Sequence, residues 1–271
     1  MQPAPESDVA RLAAYLRRNR ELHLYELGDL DDFFFPHTRW WGSGDAELEA
    51  LCLVYEGSFG ATLLAFADPG AEAPMQSLLR AIEPRLPARF HAHLSNGLAR
   101  SVSRRFELTS RTPALKLALR DTGAVAAVDT AGVVAVDPSD LDGVESFYRA
   151  SYPENWFDPR MLETGRYVGV RDGNRWLAIA GVHVYSREYR VAALGNIASA
   201  CDARGRGLGA KVTAALCQTL LRDGIEVIGL NVMRDNEAAL RCYRKLGFET
   251  IAENEELEAQ TSRSGAAPLS S

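Results

Sequence analysis

The 271-residue chain has no apolar run near the ~20 residues a membrane helix requires, and its start, MQPAPESD, lacks a basic segment followed by an apolar one. A soluble, unexported chain is the expectation. Cysteine is scarce: Cys52, Cys201, Cys217 and Cys242 stand far apart, with no C-x2-C pair of the kind that marks a zinc or redox site. Reduced thiols in a cytoplasmic compartment are expected, and no metal site. Excess positive charge is also missing, since 30 basic against 36 acidic side chains leave a formal charge of −6. Such a chain repels a polyanion, which argues against wholesale nucleic-acid binding. With 46% hydrophobic and 24% charged residues, disorder and fibrous repeats are excluded, and there is chain enough for one large domain or two small ones.

Two halves emerge, 1–126 and 131–262, followed by a small, polar tail over 263–271 that is expected to be loose. In the first half, Val9, Leu12, Leu16 and Leu22 suggest an opening helical stretch. Apolar runs over 48–55 and 61–66, parted by Glu56-Gly57, predict a hairpin. A helix near 75–82, a strand over 90–94, a helix over 102–106 and a strand over 114–119 complete it. Ahead of the first strand, Asp29, Asp31 and Asp32 precede Phe33, Phe34, Phe35, Trp40 and Trp41. That cluster reads as a capped helix end with aromatics stapling the halves together, or as an acidic roof over a site for a cationic amine.

The second half begins with a strand over 133–136, and Asp137-Pro138-Ser139-Asp140 caps a helix through Val144, Phe147 and Tyr148. After an aromatic loop over 152–157, strands over 167–171 and 176–185 flank Asp172-Gly173, a hairpin turn signal. A strand over 191–199, a helix over 209–222, a strand over 227–232, a helix over 236–246 and a strand from 248 follow.

Between the strand and the helix lies Arg204-Gly205-Arg206-Gly207-Leu208-Gly209-Ala210. Glycines there let the backbone approach a ligand, and the free N–H groups of a helix start attract an anion, so the segment suits a phosphate. A tight turn that needs glycine for shape alone is the plainer alternative. Gly205-x-Gly207-x-x-Ala210 also satisfies a permissive dinucleotide fingerprint, but the next strand ends in Leu230-Asn231-Val232, without the acid that fold requires.

Arg204-Gly205-Arg206-Gly207-Leu208-Gly209, with the later run from Leu230 to Phe248 that contains Asn236 and Tyr243, resembles the two signatures of the GNAT superfamily of acetyl-coenzyme A-dependent N-acetyltransferases. The likeness covers roughly 133–260. It implies an α/β fold of the α+β kind: two GNAT-like domains in tandem, each a mixed, mostly antiparallel twisted sheet flanked by helices, the first one degenerate. Cys201 departs from the proline common at that place. The resemblance implies acetyl-coenzyme A as cosubstrate, with main-chain groups of Ile197, Ala198 and Ser199 along its arm and amides from Arg204 to Ala210 on its pyrophosphate. It further implies that Asn236 bonds the pantetheine or its neighbourhood and that Tyr243 serves as general acid.

Asn236 and Tyr243 are seven apart and so share one helix face. A general base is harder to find, because the strand over 191–199 carries no acid. His183 is one candidate, and it shares a strand face with Tyr185 if the two-residue alternation holds. Glu154 is the other, in a loop that the resemblance puts on the acceptor side, where Trp156 and Phe157 suit an amine by cation–π contact. A plain packing role for Trp156 is the alternative. The connection over 67–72 in the first half has one glycine, two acids and no arginine, so one cosubstrate per chain is expected. The reaction implied is direct acetyl transfer to a primary amine, in a small molecule or a peptide, by a monomer or homodimer. A protein that binds acyl-coenzyme A without turnover is the alternative.

Overall fold

The computed structural model describes residues 5–58 and 60–262; the expected tail lies outside the described residues. The first half supplies β1 (Pro5–Glu6), α1 (Val9–Leu16), α2 (Leu24–Gly28), β2 (Thr38–Ser43), β3 (Ala50–Gly57), β4 (Gly60–Ala65), α3 (Glu72–Ile82), β5 (Arg89–Ser95) and β6 (Phe106–Leu119). After the short α4 (Thr122–Ala126) come β7 (Val134–Ala135), α5 (Leu141–Ser151), β8 (Val168–Asp172), β9 (Arg175–Ser186) and β10 (Val191–Ser199). The chain finishes with α6 (Leu208–Arg222), β11 (Val227–Met233), α7 (Glu237–Lys245) and β12 (Phe248–Thr261).

All twelve strands join one mixed, mostly antiparallel sheet in the order β1-β2-β3-β4-β5-β12-β6-β11-β10-β9-β8-β7. Its centre is the antiparallel pair of β6 and β12, each 14 residues long, paired from Phe248 opposite Leu119 to Thr261 opposite Phe106 with register shifts between Thr250 and Ala252 and between Glu256 and Glu258. The last strand of the chain therefore bonds to β5 of the first half, and β6 bonds to β11 of the second. No gap in the sheet separates the halves. Helices cover both faces. Trp40 and Trp41, neighbours on β2, point to opposite faces as strand periodicity demands. Trp40 enters a core with Leu12, Leu16, Leu24 and Leu27 from α1 and α2, and Trp41 one with Met75, Leu78, Leu79 and Ile82 from α3.

Of the elements that differ from the sequence reading, three shape the sheet of the first half. The two tryptophans occupy a strand, β2, that the acidic and aromatic cluster masked. No helix forms over 102–106: a single 3-10 turn, Ala99–Ser101, precedes β6, and the spacing of Val102 and Phe106 reflects a buried corner. β6 begins at Phe106, eight residues before the expected start, because its polar first part pairs with β12.

Candidate active site

β10 and β11 run parallel and pair at three positions only, Val191, Ala192 and Ala193 opposite Val227, Ile228 and Gly229. Beyond them the strands part. The cause lies in β10, whose register with β9 shifts between Gly195 and Ala198. Asn196 there adopts a left-handed backbone, φ 53°, uncommon for a residue other than glycine but most accessible to Asn and Asp. Its side chain fixes the bulge: Oδ1 accepts from the Trp156 N–H (3.2 Å) and Nδ2 donates to the Tyr167 hydroxyl (3.0 Å). Its carbonyl accepts from the Tyr148 hydroxyl (2.7 Å). Gly195 is required by close approach, since a Cβ would lie 1.9 Å from the His183 ring. β11 meanwhile stays bound to β6 as far as Met233. The facing edges of β10 and β11 thus border a cavity of about 700 Å³ that both halves of the chain line.

One end of that cavity meets the glycine loop. Gly205 and Gly207 adopt φ values of 77° and 75° with open space where a Cβ would be, so backbone conformation alone asks for glycine there. Gly207 is the N-cap of α6 and offers no side chain to the first amides of a 15-residue helix. Uncapped N–H groups with the helix dipole behind them suit an anion. Arg204, which also lines the cavity, donates to the Ser151 carbonyl (3.1 Å), and Arg206 is exposed. An amide-bearing chain ending in a diphosphate fits this combination of free strand edge and uncapped helix start.

Ile197, Ala198, Ser199 and Gly209 line the cavity, as do Asn236 and Tyr243; Leu208 and Ala210 are half-buried in the first turn of α6. Asn236 is the N-cap of α7, its Oδ1 accepting from the Ala239 N–H (3.1 Å). Tyr243 is in part a core residue, its ring 5.9 Å from that of Phe248. Burial pushes its phenol above the ordinary range, so it is protonated at neutral pH.

The acceptor-side expectations fare unevenly. His183 lines the cavity, but burial and the neighbouring His93 push its imidazole down to about 4. Tyr185 does not share its surroundings. A register shift leaves His183 between Val182, opposite Leu194, and Val184, opposite Ala193. That extra residue breaks the alternation. The Tyr185 hydroxyl lies instead 3.4 Å from Asp223 and within reach of Arg166 (3.3 Å), at the end of α6. Phe157 is buried between Tyr148 (5.1 Å) and Tyr167 (5.7 Å), in the core rather than on the cavity wall. Glu154 is exposed, outside the cavity lining. Trp156 does line it, with its ring 4.9 Å from that of His91.

The rest of this end of the cavity comes from Asp29, which the sequence reading placed in an acidic cluster with a roof over an amine site as one alternative, and from residues it left without a site role. Asp29, one residue beyond α2, lines the cavity while only 4% exposed; burial, reinforced by Glu26, pushes its carboxyl well above the usual range. Tyr25 and Tyr55 stand on the same wall, and His93 of β5 and Glu256 of β12 reach the cavity from the central strands. Burial would raise the Glu256 carboxyl, but His93, His91 and His183 outweigh it and hold it below the usual range. The alternation of His91 and His93 in an expected strand was the available sequence signal for this wall.

Residues 137–248 match the Acetyltransferase (GNAT) family. This segment is a GNAT acetyltransferase domain. Mycothiol acetyltransferase of Rhodococcus jostii is 36% identical over 99 residues, which is 35% of the present chain. The matched stretch is 32% of that relative's length. Among solved structures, a tandem GNAT protein from the clavulanic acid biosynthesis pathway superposes with a TM-score of 0.55 at 16% identity, covering 97% of this chain and 98% of the other. A Drosophila protein gives 0.71 at 13% identity, covering 95% and 98%. At those identities the likeness is one of fold, and it extends over both halves, whereas the family match lies in the second alone. None of the helices among the described residues is long and apolar enough to cross a membrane.

Proposed function

We propose that the protein transfers an acetyl group from acetyl-coenzyme A to a primary amine by direct attack, with both substrates held in the cavity between the halves. The observation that carries this reading is the parting of β10 from β11 beside an uncapped helix start. The first amides of α6, with Arg204 and Arg206, would hold the diphosphate, and the free edge from Ile197 to Ser199 the pantetheine arm. Bound there, the cosubstrate supplies an activated acyl carbon.

The chain's own residues then have distinct tasks. Asp29 takes the proton that an ammonium must lose before attack; a buried carboxyl with a raised pKa is better matched to that role near neutral pH than an ordinary one. Tyr243, kept protonated, donates toward the departing thiolate. The relatives named mycothiol acetyltransferase add amines structurally related to mycothiol to the panel to be tried.

The test is thiol release from acetyl-coenzyme A across a panel of amines, with Tyr243→Phe as control and calorimetric titration of coenzyme A alongside. Amine-dependent release that falls in Tyr243→Phe supports transfer. Binding without release on a broad panel would leave a non-catalytic acyl-coenzyme A binder, and absence of binding would remove the cofactor reading itself.

A further inference from the structure

β5 and β12 bring together a second set of groups, whose chemistry is that of a metal site. On β5 the alternation of strand side chains puts His91 and His93 on one face, away from buried Phe90, Ala92 and Leu94. The antiparallel register then sets Glu256 opposite His93 and Glu258 opposite His91. One ligand atom from each of His91, His93 and Glu256 lies within 4.8 Å of the other two. His93 Nδ1 is 3.2 Å from Glu256 Oε1, and His91 Nε2 is 3.8 Å from Glu256 Oε2.

Both of those ring nitrogens are buried, and neither makes a well-aligned hydrogen bond among the described residues; what each faces is the Glu256 carboxylate. Buried, unpaired polar atoms facing a carboxylate are unfavourable unless a proton or a cation lies between them. The other nitrogen of His91 indicates which. Its Nδ1 lies 3.2 Å from Glu258 Oε1, a contact that draws the ring proton to Nδ1 and leaves Nε2 as a lone pair. A carboxylate behind an imidazole whose far nitrogen is free is the arrangement that orients metal-ligating histidines. The His91 ring is held from two sides, by Trp156 at 4.9 Å and by His93 at 4.8 Å.

We propose that His91, His93 and Glu256 bind one divalent first-row transition-metal ion of the zinc class, oriented by Glu258. Two imidazoles and one carboxylate favour such an ion over calcium or magnesium, which prefer all-oxygen sites. Bonds of about 2.0–2.2 Å ask the three side chains to draw inward by small rotations. Three protein ligands leave a further position, and because His93 and Glu256 line the cavity, that position opens toward its acceptor end. The site joins a strand of the first half to the last strand of the chain, so it also clamps the centre of the sheet.

Cobalt(II) titration of the tag-free, chelator-treated chain tests this, in a Cys201→Ser background because that thiol is exposed. The expected result is a visible band of four- or five-coordinate cobalt that saturates at about one equivalent, is displaced by zinc, and accompanies a zinc-dependent rise in melting temperature. His91→Gln and Glu256→Gln should abolish the band and the rise, while Glu258→Gln should weaken zinc binding about 10–100-fold. Should a variant fail to fold, zinc protection of His91 and His93 from diethylpyrocarbonate, read by mass spectrometry on the parent chain, replaces it. A featureless cobalt spectrum, as a cluster that only shares protons would give, overturns the proposal. So does a band that survives both ligand substitutions, or histidine modification that zinc leaves unchanged.

Discussion

Asp29 is a carboxyl group held where water cannot fully solvate its charge, and that has two separable consequences. Its raised pKa means that the folded state prefers the protonated form, so folding loses stability as pH climbs from the ordinary Asp value toward the folded one. Asp29→Asn removes that penalty. The variant should melt no lower than the parent at pH 8, while kcat/KM for the amine falls about 10²–10⁴-fold through loss of a proton acceptor. In the parent, kcat/KM should decline as pH falls through the raised pKa. Unchanged amine kinetics with a lower melting temperature would instead make Asp29 structural.

Lys116 is the opposite case. Fully buried on β6, it donates to the Leu22 carbonyl (2.5 Å), sits 3.6 Å from the centre of the Phe66 ring, and is pushed down to about 8 by burial. Burial alone would raise the nearby Glu26 carboxyl, but Lys116 and then His23 outweigh it and hold it low. Removing Lys116 leaves buried Glu26 with only the partial compensation of His23, and removing Glu26 takes from Lys116 the carboxylate that supports its charge. Lys116→Met should therefore destabilise by about 3 kcal/mol or more in urea unfolding. The double variant with Glu26→Gln should lose less than the sum of the two single losses, because the groups are coupled.

At the scale of elements, the bulge in β10 and the start of α6 belong together: the first opens the sheet, and in the proposed function the second would receive the anion. Asn196→Ala removes the bonds to Trp156 and Tyr167 and leaves a left-handed backbone to a residue less suited to it. Gly207→Val puts a β-branched side chain at φ 75°. Each should weaken coenzyme A by roughly tenfold, about 1.4 kcal/mol, in calorimetric titration. The first half offers the contrast. Its parallel strands β4 and β5 stay paired from Thr62 opposite His91 to Ala65 opposite Leu94, the end of β4, and no opening forms. In the connection that follows, Asp68 stands 3.5 Å from His23 Nε2. One molecule of coenzyme A per chain is the expected stoichiometry; two equivalent sites would contradict it.

Across the whole molecule, the exchange of β6 and β12 makes the halves interdependent. The family match, 137–248, contains neither β6 nor, beyond its first residue, β12. Expressed alone, that segment would expose the β11 edge and a core that includes Leu115, Leu117 and Phe248. It should fail to give the dispersed amide spectrum of a folded domain, and the full chain should unfold in one cooperative transition. A stably folded 137–248 fragment would count against the shared spine.

What the sequence determined by itself is the glycine-loop end of the cavity, where the proposed cofactor would sit, for a physical reason: its features are local. Glycines that take positive φ, the free amides of the helix they begin, and the one-face spacing of Asn236 and Tyr243 are all written within a few turns of chain. The order of elements in the second half is legible likewise, because strand and helix periods are short-range properties. Tertiary structure decided the other wall, of which the sequence had marked only Asp29, as one of two readings of an acidic cluster. Asp29, His93 and Glu256 are far apart in sequence, and they meet only because β12 returns to the centre of the sheet and α2 packs across β9 and β10. A one-residue register shift, invisible to any period, turned Tyr185 away from the cavity that His183 lines.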